Sequence, residues 1–200
     1  MESSFAYADT SGWAEWQKEY LYGALYIFPP GGIIEAVDQL RRRYDPRSAN
    51  AAQAHVSLSE PLPGPLTGSQ VEELRRIASQ FEPFMLHYGP LRSFPPYPGV
   101  TYAISPEDQF MQLRAAIHSI SIFKDSRLSR KDIPPHMTIA EFISMEETER
   151  LLGALSGKVP QGAWLVRDIE YAVPDEHLYF HRVLTIGLGR DAIPLVAPKH

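Results

Sequence analysis

The sequence predicts an α+β protein of two duplicated β-α-β-α-β lobes whose antiparallel-rich sheets face each other across a central cleft. Three observations carry this reading. Apolar runs alternate between strand and helix spacing, that order repeats in the second half of the chain, and two strands are near copies, His55-Val-Ser-Leu-Ser-Glu60 and His136-Met-Thr-Ile-Ala-Glu141. The copies stand 136 − 55 = 81 residues apart. A repeat that long, with matching elements around each copy, gives facing lobes, whereas a solenoid stacks three or more short units. The length of 200 residues fits one bilobal domain and is ample for a hydrophobic core without metal or disulfide. We place that domain at 21–190, with lobe-forming halves at about 21–98 and 99–190, an N-terminal extension at 1–20 and a C-terminal tail at 191–200.

The elements follow in order. Tyr22–Phe28 is an apolar run closed by Pro29-Pro30-Gly31-Gly32, after which Ile33, Val37 and Leu40 recur at helical spacing. A polar loop through Pro46, Ser48 and Asn50 leads to the strand at His55, and Pro61, Pro63 and Pro65 end it. Ser69-Gln-Val-Glu72 reads as a capping box opening a helix with Val71, Leu74, Ala78 and Phe81 on its buried face. Extended segments at Phe84–Phe94 and Val100–Ile104 flank a proline-rich turn, Pro95–Gly99. Ser105-Pro106, serine as cap and proline in the first turn, opens a helix lined by Phe110, Leu113, Ile117 and Ile120. The strand at His136 follows, then a second capping box at Ser144–Glu147 with Leu151 and Leu155 buried, and closing strands near Trp164–Ala172 and Tyr179–Leu188.

Composition excludes several classes of function. With no cysteine, disulfides, thiolate nucleophiles and cysteine-held zinc are absent. No run approaches the ~20 apolar residues that span a bilayer, and Met1–Thr10, with Glu2 and Asp9, lacks the pattern of a signal peptide, so a cytoplasmic location is expected. A net charge of −5 disfavours a surface that grips long nucleic acid. Arg41-Arg42-Arg43 reads as a solvated face at a helix C-terminus. Glycine loops for nucleotides are missing, since Gly187-Leu188-Gly189 lacks a third glycine, and no serine sits in a G-x-S-x-G elbow. His177 and His181 are four apart but lie in a turn and strand rather than on a helix, so no metal site is expected; His87 and His118 read as structural, and His200 is terminal.

The paired strands carry the chemistry. With seven histidines, the expected number of chance matches to His-apolar-Ser/Thr-apolar is roughly 0.15. Strand periodicity puts His55 with Ser57, and His136 with Thr138, each pair on one face, while Val56, Leu58, Met137 and Ile139 take the other. If the lobes meet about a pseudo-two-fold axis, an imidazole and a hydroxyl stand on either side of a bound group. That arrangement suits in-line displacement at phosphorus. One imidazole takes a proton, the other gives one, and an unperturbed pKa of about 6.5 makes both states accessible near neutrality.

These residues carry a family resemblance. His55-Val-Ser57-Leu and His136-Met-Thr138-Ile resemble the paired HxSx and HxTx motifs of the two-histidine (2H) phosphoesterase superfamily, especially its 2′-5′ RNA ligases and RNA 2′,3′-cyclic phosphodiesterases. The resemblance implies a LigT-like bilobal fold and metal-independent hydrolysis of a 2′,3′-cyclic phosphate or 2′-5′ phosphodiester, with no cofactor. His55 and His136 would be the acid–base pair, and Ser57 and Thr138 the phosphate ligands. It also suggests a basic residue before the second motif and an aromatic to stack a base; Arg130, Lys131, Tyr97, Phe94 and Tyr179 are the candidates. The expected partner is a nucleotide or short RNA bearing a cyclic phosphate, acted on by a monomer away from membranes. The alternative is a non-catalytic nucleotide or RNA-end binding module of the same fold.

Overall fold

The structure, a computed structural model, describes residues 5–189; the expected tail at 191–200, with His200, and the first four residues of the N-terminal extension lie outside the described residues. A single helical turn, α1 (Glu15–Lys18), precedes β1 (Ala24–Ile27). The apolar run around β1 serves two faces at once. Leu25 and Ile27 enter the main core, while Ala24 and Tyr26 join Ala172 in a smaller cluster on the opposite side. Helix α2 (Gly31–Tyr44) buries Ile34, Val37 and Arg41. The loop expected at 46–50 is instead one helical turn, α3 (Pro46–Ala49), because Pro46 takes a first-turn position and the Asp45 carboxylate accepts the Ser48 amide hydrogen bond.

After β2 (Val56–Ser57) comes α4 (Gly68–Ala78), whose capping box lies two residues earlier than Ser69–Glu72: Thr67 and Gln70 exchange the bonds. Strands β3 (Phe84–Phe94) and β4 (Tyr97–Ser105) form a hairpin, so pairing already begins inside the segment expected as a turn. Pro106 stands just outside α5 (Glu107–His118), which therefore starts without a side-chain cap. Then come β5 (His136–Ala140) and α6 (Met145–Leu155), capped by Ser144 and Glu147 as expected.

The largest departure concerns Trp164–Ala172, expected as one strand. The chain breaks at Arg167 into β6 (Gly162–Val166) and β7 (Asp168–Pro174), which belong to different sheets; β8 (Phe180–Gly187) follows. One sheet has the order β2-β1-β7-β8 and the other β5-β4-β3-β6, every neighbouring pair antiparallel. The fold is thus α+β with duplicated lobes, but the lobes interleave. In the first unit, β1-α2-β2-α4-β3, the third strand crosses to pair with β4; in the second, β4-α5-β5-α6-β6/β7, β7 crosses to pair with β1. The sheets therefore do not follow the halves 21–98 and 99–190. The strand expected at His55 begins one residue later, so His55 directly precedes β2 whereas His136 opens β5; β2 and β5 end their respective sheets and lie against each other. Among the described residues no helix is long and apolar enough to cross a membrane.

The close approach of β7 to the start of β1 depends on Gly23. Its φ of +71° is left-handed, and a Cβ there would stand 2.1 Å from the Ala172 carbonyl oxygen. Gly23→Ala is expected to destabilise the fold by more than about 1 kcal/mol. Urea denaturation measures this, and an unchanged midpoint would contradict the backbone geometry.

Candidate active site

His55, Ser57, His136 and Thr138 line a single cleft of about 460 Å³ between the lobes. Alternation along β2 and β5 does this: Val56, Leu58, Met137 and Ile139 are fully buried in the core, which leaves the histidines and hydroxyls to the opposite face. Ladder partners set their neighbours. Tyr26 pairs with Ser57 and places its ring edge-on to His55, centroids 4.6 Å apart, while Phe94 meets His136 edge-on at 5.3 Å.

The two imidazoles are held by the same device. His55 Nδ1 bonds the Gln53 carbonyl at 2.7 Å and His136 Nδ1 bonds the Pro134 carbonyl at 2.8 Å, each two residues upstream. A carbonyl can only accept, so Nδ1 carries the proton and the second ring nitrogen is left with its lone pair. Burial pushes the His55 pKa down to about 4, aided by Arg41 and His136 and opposed by the Gln53 bond. Burial likewise lowers His136, with the Pro134 bond opposing and Arg92 and Arg114 adding to the shift. The near-neutral values expected from unperturbed imidazoles are thus corrected: both rings are neutral in the free protein at pH 7.

Two buried arginines have no part in the site expected from the sequence. Arg41, first of the run read as a solvated face, is 3% exposed; Arg42 and Arg43 remain in solvent. It ion-pairs with Asp38 at 2.6 Å and donates to the Ala52 and Ser48 carbonyls, tying down the loop that leads to His55. Arg114, on α5, donates to the Ser57 and Leu58 carbonyls of one histidine strand and to the Arg130 and Ile133 carbonyls before the other. Burial lowers its pKa to about 10, with Glu60 opposing, which keeps it charged. Both arginines line the cleft. Their signal was present in the repeat, because Val37-x-x-Leu40-Arg41 and Phe110-x-x-Leu113-Arg114 occupy the same place in each unit.

The remaining candidates divide. Arg130 lines the cleft, its guanidinium donating to the Tyr20 hydroxyl and lying 3.9 Å from the Glu60 carboxylate. Phe94 and Tyr97 line an adjoining hollow of about 680 Å³, which shares His136, Thr138 and Glu141 with the cleft. Burial, with Asp45 next, raises the Glu141 pKa. Lys131 and Tyr179 line neither; Tyr179 packs edge-on to His181, which pairs with Asp175 at 2.8 Å. His118 is structural, accepting the Glu60 amide, whereas His87 lies exposed on β3.

Comparison with known proteins places this architecture. Residues 29–177 match the model of the 2′-5′ RNA ligase superfamily, and the chain belongs to that family. Proteins named as phosphoesterases from Bacillus cytotoxicus and Oceanobacillus iheyensis are each 32% identical over 137 residues, 67% of this chain and 77% and 78% of theirs. One from Bacillus cereus is 34% identical over 137 residues, 67% of this chain and 77% of its own. In fold the chain is similar to Escherichia coli LigT in its apo form, with a TM-score of 0.57 at 15% identity over 84% of this chain and 96% of that one. The LigT structure complexed with 3′-AMP gives 0.53 at 15% identity, covering 82% and 96%.

The neutral histidines make stability depend on pH. A histidine whose folded pKa lies below its unfolded value takes up its proton only on unfolding. Stability is therefore full above about 6.5 and is lost as pH falls toward 4, where His55 and His118, also lowered by burial to about 4, become charged. Thermal unfolding is expected at steadily lower temperature through that window. Nitrogen-15 NMR should show Nδ1–H tautomers at pH 7 for His55 and His136, and a His55 titration centred near 6.5 would contradict the geometry.

Proposed function

We propose that the protein is a cytoplasmic, metal-independent phosphodiesterase that opens a 2′,3′-cyclic phosphate on a nucleotide or RNA end. The observation that carries the reading is the convergence of two carbonyl-anchored imidazoles, each beside a hydroxyl, in one cleft. Family membership and the relatives named as phosphoesterases support the reaction class, and the LigT complex with 3′-AMP supports a nucleotide ligand.

The phosphate lies between His55 and His136, with the Ser57 and Thr138 hydroxyls donating to its non-bridging oxygens as charge builds there. One imidazole accepts a proton at its free nitrogen from the attacking water. The other, protonated, donates to the departing ribose oxygen, which leaves a phosphomonoester and a free hydroxyl. Both rings are neutral before substrate arrives, so the acid form must arise in the complex: the phosphate anion favours protonation of the imidazole beside it. With a ribose hydroxyl in place of water the same groups run the step toward a 2′-5′ linkage.

His55→Ala and His136→Ala are each expected to lower kcat by about 10²- to 10⁴-fold while retaining affinity for a nucleotide product. Full turnover in both variants on a panel of nucleoside 2′,3′-cyclic phosphates and 2′-5′ dinucleotides would overturn the assignment. Because kcat/KM reports the free protein and kcat the complex, the kcat/KM profile should already be falling as pH rises through the value of about 6.5 of a free imidazole, and the kcat profile should lie at higher pH. Coincident profiles centred above neutrality would contradict the substrate-raised acid. Chelation by EDTA should leave the rate unchanged; loss restored by zinc would count against a metal-free mechanism.

A further inference from the structure

The N-terminal segment contributes a wall to the cleft that lies outside residues 29–177 matched by the family. It is fastened to the body. The Trp13 indole donates to the Glu176 carbonyl at 3.0 Å, and the Tyr20 ring packs edge-on to Phe180 at 5.7 Å. This brings α1 to the cleft and presents Trp16 there, 45% exposed. Across from it stands Phe142, two residues beyond the end of β5, 44% exposed and lining the same cleft.

Between these rings lies the Arg47 guanidinium, 3.8 Å from the Phe142 centroid and 5.9 Å from that of Trp16. Arg47 is exposed and, among the described residues, within ion-pair distance of no carboxylate, whereas Lys18 on α1 is held by Glu15 at 2.6 Å. The rim thus joins two half-exposed aromatic faces to one uncompensated cation. Exposed rings of that size are poorly solvated, and a planar heterocycle laid on the open face of Trp16, with Phe142 and its guanidinium closing the other side, removes apolar area from water. The guanidinium adds attraction for one phosphodiester. One base and one phosphate make one nucleotide.

We propose that Trp16, Arg47 and Phe142 form a subsite for the nucleotide that precedes the terminal cyclic phosphate, so that a short single-stranded RNA end is the preferred substrate over a mononucleotide. This rests on the phosphodiesterase reading, in which the terminal phosphate occupies the histidines of the same cleft. One exposed arginine at this rim and the net charge of −5 set the length: one further nucleotide is held, while a longer chain gains little.

The test compares a nucleoside 2′,3′-cyclic phosphate with a dinucleotide ending in the same group. Wild-type kcat/KM is expected to favour the dinucleotide by roughly 10-fold, the equivalent of one stacked base. Trp16→Ala and Arg47→Gln should remove that preference while changing the mononucleotide value much less. Equal wild-type efficiencies, or equal losses on both substrates, would overturn the subsite. A second readout is independent of turnover. Trp13 and Trp164 are 8% and 4% exposed, so Trp16 dominates solvent-sensitive indole emission. An unreactive dinucleotide 3′-phosphate should quench it in the wild type and in His55→Ala, and a mononucleotide 3′-phosphate should not. If no cyclic phosphate is hydrolysed but this quenching occurs, the subsite stands and the catalytic reading falls; absence of dinucleotide quenching overturns the subsite.

Discussion

Arg114 is the constraint on which the cleft depends. It is a buried cation whose oxygen partners are all backbone carbonyls, two from the strand that carries His55 and two from the segment that leads to His136. A buried charge is costly unless its donors are filled, and truncating one would strand the others. Its hydrogen bonds therefore fix the two histidine strands relative to each other more firmly than the short ladder between β1 and β2 could. The same cation stays charged where it lines the cleft, so structural and electrostatic roles reside in one side chain. Arg41 repeats the arrangement in the other unit with a difference: Asp38 neutralises it. The positive field of the cleft is thus lopsided although the order of elements repeats.

Much of the site was legible because a strand has a period of two and a duplication supplies a control. Either motif alone could be a hydrogen-bonded strand histidine; two copies in matching positions, with hydroxyls on the same face, point to one purpose. The neutral charge state was not legible. It follows from burial and from neighbouring arginines on α2, β3 and α5, neither of which a strand pattern encodes. Arg41 escaped for a related reason, since a run of three arginines at a helix end looks solvated until the helix is docked and its first member turns inward. The repeat holds the signal in the helices that precede the two strands.

Boundaries failed where local chemistry offered two equal choices. Thr67 with Gln70 and Ser69 with Glu72 are both sound capping boxes, and the earlier one wins with the helix starting at Gly68. The strand break at Arg167 left no punctuation at all, because Trp164–Ala172 contains neither proline nor glycine. What breaks it is membership of two sheets, a tertiary fact. The hollow beside His136 was equally hidden. It gathers Phe94 and Tyr97 from the β3–β4 hairpin and Asp132 from the loop before β5, and these segments share no periodicity.

The crossing of third strands has a consequence for how such a molecule assembles. Separated at Pro95-Pro96, the first unit would hold a two-stranded ribbon plus a lone β3, and the second would hold β4 beside β5 with an empty place where β3 belongs. Each fragment would be the missing complement of the other. The two-residue connection between β3 and β4 converts what would be strand exchange between molecules into pairing at high effective concentration within one chain. Cleft formation is then as reliable as the closure of a hairpin, and its two halves cannot be supplied in unequal amounts.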